Sequence, residues 1–531
     1  MKKLTAILLA ILMLIPLIVS CGGNDETTTT EIPTTEAPTT EAPTTEAPTT
    51  EIPTTEAPTT EAPTTEAPTT IDPNAPWSSK YDIRDTWSGK TLNIACSRHM
   101  SKNPWTRWSI IELYLIKEGK ESGFGTRIDN AVLERQDYIE NTYGVKLNFI
   151  DATDFSMHEA LEAATLAGNI NYDLCMPRIK NAHTIVAGGY VYDLANREFI
   201  DFENSYYEEN AIKTFTSNGH TFFVTGAFSF DDNESARVLG FNKNLLGDGS
   251  KEASDELYQL VRDGKWTYDK LISYASAAYS DNGDEKDPYR YTYGADFYHY
   301  AYFYHYFGVN DVGTNPVTGK WEISLDNDRI DEIINTIIST KNSAWQDPNG
   351  GRGTLWGSTH YKSDFNNTLF QDCDLAVHWE TEDTTSFTFP AFSENVGIVP
   401  FPMLNEDQGR YYATMDHPYT VLMCIPKLTQ DRAMSEYFMD VLCWTGEEYT
   451  MKAYIETKKD QFKDDADIEM ITDYIFPSIS YDQIFSVLPL GSSSAWADDE
   501  NKFDEVYSKA EPNALKTIAE WNAAWGGYTE E

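Results

Sequence analysis

Three carboxylates stand close together in the segment HWETED, at Glu380, Glu382 and Asp383. Two carboxylates that flank a cleft can hydrolyse a glycosidic bond, one as the acid and the other as the base or nucleophile. The same side chains accept hydrogen bonds from sugar hydroxyls in a protein that binds a sugar without cleaving it. The sequence contains no glycine-rich phosphate loop, nucleophile elbow or HExxH motif. Binding is therefore favoured over catalysis, no catalytic residue is assigned, and a carbohydrate-active enzyme stays open as the alternative.

Aromatic residues are the second chemical feature, with 13 Trp, 32 Tyr and 25 Phe in the chain. An aromatic ring offers a flat face to the C–H groups of a sugar while acids and amides bind its hydroxyls, as in many small-molecule clefts. Most of these rings must pack in the core, including those of the run at 289–307. Only an aromatic residue at a predicted strand end, such as Trp379, is therefore interpreted as a ligand contact.

The acidic run at 281–287 has the density of oxygen atoms that calcium prefers, but its spacing is not that of an EF-hand loop. A solvated turn is the favoured interpretation, and a calcium site is the alternative. His158 and Glu159 lack a second histidine four residues on, so they do not form a zinc motif. We predict no metal ligand and no cofactor.

The elements that position these residues alternate between strand and helix. The hydrophobic pattern predicts strands at 91–97, 145–150 and 172–176 and helices at 126–143, 156–168 and 181–187. Gly144 is expected to end the first helix in a left-handed conformation. Strict alternation implies a parallel sheet in an α/β architecture, in which ligands bind outside the carboxyl ends of the strands.

The first twenty residues have the pattern of a signal peptide. Lys2 and Lys3 precede an apolar run at 4–19 that is short for a transmembrane helix. The order Ile-Val-Ser-Cys resembles a bacterial lipoprotein box, which makes Cys21 the lipid acceptor. The unit TTEAP or TTEIP then repeats eight times from residue 29. Proline and repeated negative charge favour an extended chain, so 21–76 is predicted to be a lipid-anchored, disordered stalk.

The formal net charge of −44 excludes a large class of partners. Such a charge repels nucleic acids and anionic lipid surfaces, so neither is an expected ligand. Five cysteines remain beyond Cys21, most of them within apolar runs. They are predicted to be buried thiols rather than a disulfide framework.

A family resemblance covers most of the globular part, 77–531. The segment LEAATLAGNINYDLCMPRIKNAHTIVAGGYVYDL resembles the sugar-binding extracellular solute-binding proteins, family 1, of ABC importers. The segments LGFNKNLL, GKWTYDKLISYA, DLAVHWE, VGIVPFP and TVLMCIPK follow in the order of that family, whose clostridial members are the most similar. The resemblance implies a type II, periplasmic-binding-protein-like fold. Its two α/β lobes are joined by crossing strands that act as a hinge.

Carried onto this chain, the first lobe is expected at 88–238 and 396–448, and the second at 239–395 and 449–531. The candidate ligand contacts lie at predicted strand ends and beside the two crossings. They are Arg98, His99, Arg178, Asn181, Asp231, Asp232, Asn233, Trp379, Glu380, Asp416 and His417.

These features predict a non-catalytic receptor that captures an oligosaccharide for an ABC importer. Its expected partners are the carbohydrate, the permease subunits of the transporter and, through the lipid anchor, the membrane. It is expected to be a monomer on the extracellular face of the cytoplasmic membrane of a Gram-positive cell. The alternatives are an extracellular carbohydrate-active enzyme and a cell-surface glycan adhesin on the same stalk.

Overall fold

The computed structural model describes residues 83, 85–98, 126–154, 157–287, 290–297, 300–325, 327–347, 367–375, 395–415, 420–481, 487–488 and 500–529. The predicted signal peptide, Cys21 and the stalk lie outside these residues. Within the described ranges, no helix has both the length and the apolar character needed to cross a membrane.

The strands are short and fall into two larger sheets and two hairpins. They are β1 (Thr91–Arg98), β2 (Lys146–Asp154), β3 (Leu174–Met176), β4 (Thr216–Ser217), β5 (His220–Thr221), β6 (Arg237–Asn242), β7 (Ser280–Asp281), β8 (Tyr291–Asp296), β9 (Val312–Thr314), β10 (Trp321–Ile323), β11 (Thr368–Asp374) and β12 (Val396–Val399).

The helices connect these strands and make up the carboxyl-terminal part of the chain. They are α1 (Thr126–Tyr143), α2 (Met157–Ala167), α3 (Ala182–Ala187), α4 (Glu209–Thr214), α5 (Asp231–Ser235), α6 (Lys251–Arg262), α7 (Tyr268–Ala278), α8 (Phe303–Tyr306), α9 (Asn327–Lys341), α10 (Arg432–Thr445), α11 (Lys452–Gln461), α12 (Asp465–Glu469) and α13 (Phe503–Gly526). Short 3-10 helices occur at Ile179–Asn181, Tyr300–Tyr302, Glu406–Gln408 and Phe476–Ser478, and π-helical turns at Gly446–Met451 and Met470–Ile475.

The first lobe is built on a parallel sheet with the strand order β2-β1-β3. The predicted alternation is confirmed here, because β1, α1, β2, α2 and β3 follow one another as expected. Gly144 ends α1 with a φ of +64°, a conformation in which a glycine avoids the clash of a Cβ atom. The segment TVLMCIPK at 420–427 forms isolated bridges rather than a continuous strand, such as Cys175 with Cys424 and Val224 with Met423.

The second lobe is built on a mixed sheet with the order β12-β6-β11-β8-β7. Strand β6 runs directly out of α5 into the centre of this sheet, where it pairs antiparallel with β11 and β12. It is therefore the first crossing between the lobes. Two sheets joined by this crossing confirm the predicted two-lobe α/β fold.

Each lobe has its own apolar core, and a third cluster contains residues of both lobes. Five described rings of the aromatic run at 289–307 belong to the core of the second lobe, namely Phe297, Phe303, Tyr304, Tyr306 and Phe307. Phe303 and Tyr306 are both fully buried, and Tyr306 stacks on Phe401 with 3.8 Å between the ring centroids. These rings hold the second lobe together and are not ligand contacts.

Two segments near the predicted lobe boundaries pair with or pack on the other lobe. Residues 396–411 were expected in the first lobe, but β12 makes its ladder hydrogen bonds with β6 in the second sheet. Residues 449–461 were expected in the second lobe, but Tyr454 on α11 is buried in the first core. Strand β12 therefore pairs within the second sheet, and helix α11 packs on the first lobe.

Strand β11 covers Thr368–Asp374, and Leu375 is the last described residue before the segment that contains Trp379. Residues 376–380, which include Trp379 and Glu380, lie outside the described residues. The acidic run at 281–287 is an exposed turn in which the Asp281 carboxylate pairs with Arg290 at 2.7 Å. Within the described residues there is no group of three His, Cys, Asp or Glu side chains suited to a metal ion.

The five cysteines beyond Cys21 have the environment that the sequence predicts. Cys96, Cys175, Cys424 and Cys443 are buried, and Cys373 is half-buried. No disulfide joins them within the described part of the chain. The burial of the Cys175 thiol raises its pKa well above the ordinary value, which favours the unreactive thiol form.

Candidate functional site

The carboxyl ends of β1 and β3 lie side by side. The parallel register pairs Cys96 with Met176, so Arg98, the last residue of β1, and Arg178 leave the sheet at the same edge. Ligands of open α/β sheets bind at this edge. The position agrees with the expectation for the two arginines, although only the Arg178 side chain is among those the structure describes.

Backbone hydrogen bonds bring the other candidate segments to this edge. Arg178 forms a bridge with Val421, which follows the segment containing Asp416 and His417. Ala236, at the end of α5, forms a bridge with Met415, which precedes that segment. The Leu375 amide donates to the Ala236 carbonyl at 2.9 Å, and Leu375 precedes the segment that contains Trp379 and Glu380. Described residues that flank four candidate segments therefore meet at one place.

Five of the eleven candidate ligand contacts have described side chains, and all five are buried. They are Arg178, Asn181, Asp231, Asp232 and Asn233. The side chain of Arg98 is not described, and the remaining candidates lie outside the described residues, namely His99, Trp379, Glu380, Asp416 and His417.

Asp231 is a buried carboxylate at the start of the crossing. Burial raises the pKa of its carboxyl to about 7, against the opposing charge of Arg178, and the carboxylates of Asp232 and Glu234 raise it further. The Asp231 Oδ2 atom accepts no hydrogen bond from the described residues. A carboxyl group with an open acceptor atom accepts hydrogen bonds from ligand hydroxyl groups, and most strongly in its ionised form.

Two side-chain amide oxygens at the same edge are also buried without a hydrogen-bond donor among the described residues. The Asn233 Oδ1 and Asn181 Oδ1 atoms are buried and accept no hydrogen bond from the described residues. The Asn181 side-chain nitrogen already lies 3.2 Å from Nδ1 of His158, which fixes the orientation of the amide. Leaving a buried acceptor unsatisfied costs about 1–3 kcal/mol, so these atoms favour a ligand that donates several hydrogen bonds.

Asp232 is held by the protein itself. Its Oδ2 atom accepts a hydrogen bond from the Tyr481 hydroxyl at 2.5 Å, and its Oδ1 atom accepts one from the backbone N–H of Asn233 at 3.0 Å. Burial raises the pKa of the Asp232 carboxyl to about 6, although the Tyr481 hydrogen bond opposes the shift. Burial also raises the pKa of the nearby Glu208 to about 8, and the charge of Asp232 adds to this effect. Asp232 therefore supports the turn rather than offering an open acceptor.

Two buried ion pairs fix the crossing on either side of Ala236, and the sequence analysis missed both. The Lys458 ammonium lies 2.7 Å from Glu234 and donates to the Leu375 carbonyl at 2.8 Å. Nη2 of Arg237 lies 2.7 Å from Asp372, which also accepts from a tyrosine hydroxyl at 3.0 Å. The available sequence signal was a pair of charged residues, Glu234 on α5 and Arg237 at the start of β6, an otherwise apolar strand.

The chain was compared with known proteins. No family model matches it, and no curated protein matches it. A cyclo/maltodextrin-binding protein complexed with maltotetraose aligns over 81% of this chain and 96% of its own, with 14% identity and a TM-score of 0.47. The maltose-bound MalE3 of T. maritima aligns over 82% and 98%, with 13% identity and a TM-score of 0.40. Because both scores are below 0.5, the fold assignment rests on the sheet topology of this chain.

Proposed function

We propose that this protein is a non-catalytic receptor that captures a carbohydrate, specifically an oligosaccharide, and delivers it to the permease of an ABC importer. The observation that carries this proposal is the set of buried acceptor oxygens on Asn181, Asp231 and Asn233. All three are acceptors, so the matching ligand is rich in hydroxyl donors, as a sugar is. The order of motifs that resemble the sugar-binding solute receptors supports the same function.

The described residues favour binding over hydrolysis. A glycosidase needs one carboxylic acid and one carboxylate on opposite sides of the scissile bond. The described carboxylates near the edge instead lie on one turn, and two of them, Asp232 and Glu234, are engaged by Tyr481 and Lys458. An enzyme that uses Glu380 or Glu382 stays as the second candidate, since both lie outside the described residues.

A glycan panel separates the two functions. Each oligosaccharide is titrated into the protein by calorimetry and then incubated with it and analysed for products. A receptor binds at least one glycan saturably and returns it unchanged. Release of shorter sugars at a rate above that of a heat-denatured control would replace the receptor with an enzyme.

Trp379 is proposed to stack on a sugar ring. We expect Trp379→Ala to weaken oligosaccharide binding by about 1–3 kcal/mol, roughly five- to a hundredfold, while the melting temperature changes little. Calorimetry and thermal unfolding of the same samples check this. A tryptophan of the core would instead cost about 3–5 kcal/mol of stability. A much lower melting temperature, or unchanged affinity, removes Trp379 from the site.

Cys21 is proposed to carry the lipid that holds the receptor on the outer face of the cytoplasmic membrane, where it acts as a monomer. We expect Cys21→Ser to move the protein from the membrane fraction to the medium, because the charge of −44 gives it no other attraction to anionic lipid. Immunoblots of the two fractions measure this. Retention of the variant in the membrane at the wild-type level contradicts the anchoring proposal.

A further inference from the structure

A cavity of about 420 Å³ lies between the two lobes. Its first-lobe wall is α4, with Asn210 and Lys213, and most of the rest of its wall comes from the second lobe, including Arg329 and Arg410. None of the candidate sugar contacts is among its described lining residues. Tyr481, which also lines it, donates to Asp232, so the cavity lies next to the crossing.

The charge of this cavity is opposite to that of the chain as a whole. Lys213, Arg329 and Arg410 contribute three cationic side chains, and none of its described lining residues is acidic; Glu209, which lies outside the lining, pairs with Lys213 and offsets one of the three charges. The chain as a whole has 84 acidic and 40 basic residues. In such a chain, three cations around one cavity make a local positive potential in a surface that otherwise repels anions.

One amide holds the two arginine segments together. Gln408 Oε1 accepts from Arg329 Nη2 at 3.2 Å, and Gln408 Nε2 donates to the Arg410 carbonyl at 2.9 Å. Arg329 also donates to the Phe307 carbonyl at 2.7 Å, which fixes its guanidinium. These hydrogen bonds hold both arginine segments in place before a ligand binds, so less conformational entropy is lost on binding.

The Arg410 guanidinium is placed by an aromatic ring and faces the first lobe. It lies 4.6 Å from the centroid of the Tyr412 ring. That ring packs against Gly308, where a Cβ atom would come within 2.5 Å of it, so the position requires glycine. The pKa of Glu209 on α4 is lowered first by Lys213 and also by the charge of Arg410, which places Arg410 close to the first-lobe wall.

We propose that this cavity binds a small oxyanion of the phosphate, sulfate or carboxylate class, separately from the sugar site. The planar donors of Arg410 can match two oxygens of such an anion at once, whereas Arg329 already uses Nε and Nη2 for the Phe307 carbonyl and contributes mainly its positive charge. The amides of Asn210 and Asn310 add neutral polar groups around the anion. Because Lys213 belongs to one lobe and the arginines to the other, a bound anion contacts both lobes and stabilises their arrangement in this structure.

Inorganic phosphate is the first probe. Calorimetric and thermal-unfolding titrations of phosphate are compared with sodium chloride at equal ionic strength, which removes general screening. We expect saturable binding below about 10 mM and a rise in melting temperature that chloride does not produce. Absence of saturation, or an equal effect of chloride, overturns the proposal.

Two exposed side chains test the location without disturbing the core. Arg410→Gln and Lys213→Gln are each expected to weaken phosphate binding by about tenfold. Lys516→Gln, which removes an exposed lysine from α13, serves as the charge-matched control and should bind as the wild type does. Equal weakening in all three variants would indicate a general charge effect and contradict the site.

A second titration tests whether the anion site is separate from the sugar site. Phosphate is titrated in the presence and absence of a saturating neutral oligosaccharide. Binding of phosphate that persists with the oligosaccharide supports a separate anion site. Competition between the two ligands would place the anion in the sugar site and overturn the proposed separation. Neither result depends on whether the neutral sugar is the transported ligand.

Discussion

Replacing Lys458 with methionine is expected to lower the free energy of unfolding by about 3–5 kcal/mol. The ammonium is 1% exposed and pairs with Glu234, which is 5% exposed, so the change leaves a buried carboxylate without its counter-charge. Burial lowers the pKa of Lys458, and the Glu234 charge opposes that shift. Urea denaturation at neutral pH measures the loss.

The neighbouring lysine on the same helix provides the control. Lys459 pairs with Glu456 at 2.6 Å, but both side chains are about half exposed. Lys459→Met is expected to change stability by no more than about 0.5 kcal/mol. The double variant Glu234→Gln with Lys458→Met should recover part of the loss, because it removes both charges. Equal effects of Lys458→Met and Lys459→Met would contradict the proposed role of the buried pair at the crossing.

Asp231→Ala is expected to weaken carbohydrate binding by about 1.5–3 kcal/mol, roughly ten- to a hundredfold. The carboxylate has an acceptor atom without a partner among the described residues, and a ligand hydroxyl would supply the missing donor. Calorimetry of the wild type and the variant measures the loss. Asp504→Asn, an exposed acid at the start of α13, is the control and should leave affinity unchanged. Unchanged affinity in Asp231→Ala would exclude this residue from the site.

Asp231 is expected to favour ligand binding but, because its pKa is raised, to lower the stability of the unliganded protein. Its carboxyl has a pKa of about 7 in the folded protein and a lower, ordinary value in the unfolded chain. The folded state therefore holds the proton more tightly, and stability falls as pH rises from the ordinary value towards 7. Asp231→Asn should thus stabilise the unliganded protein above pH 7 while it weakens binding. A substitution that raises stability and lowers ligand affinity is typical of a residue in a binding site.

The sequence was sufficient for the elements with long, regular patterns. The bounds of α1 were predicted correctly because its apolar residues recur at helical spacing and Gly144 ends it. Asp231 was expected beside a crossing because the segment LGFNKNLL resembles the crossing strand of the solute-binding family, and β6 covers the start of that segment. Local chemistry determines features of this kind, so a single sequence can show them.

Other features depend on residues far apart in the chain. Glu234 meets Lys458, and Arg237 meets Asp372, through the packing of separate elements, and no local pattern marks either pair. The pairing of β12 with β6 likewise joins segments that are far apart in the chain, so no local pattern marks it. The interlobe cavity likewise combines α4 with second-lobe loops, which only the folded chain brings together.

The central claim is that a carbohydrate binds at the edge formed by β1, β3 and α5. The most direct test is mass spectrometry of the small molecules that co-purify with the protein, followed by calorimetric titration of the identified compound into protein freed of ligand. We expect an oligosaccharide that binds saturably, one per chain, and that binds Asp231→Ala at least about tenfold more weakly. A co-purified ligand without a sugar, or a sugar whose affinity is the same in both proteins, would contradict the claim.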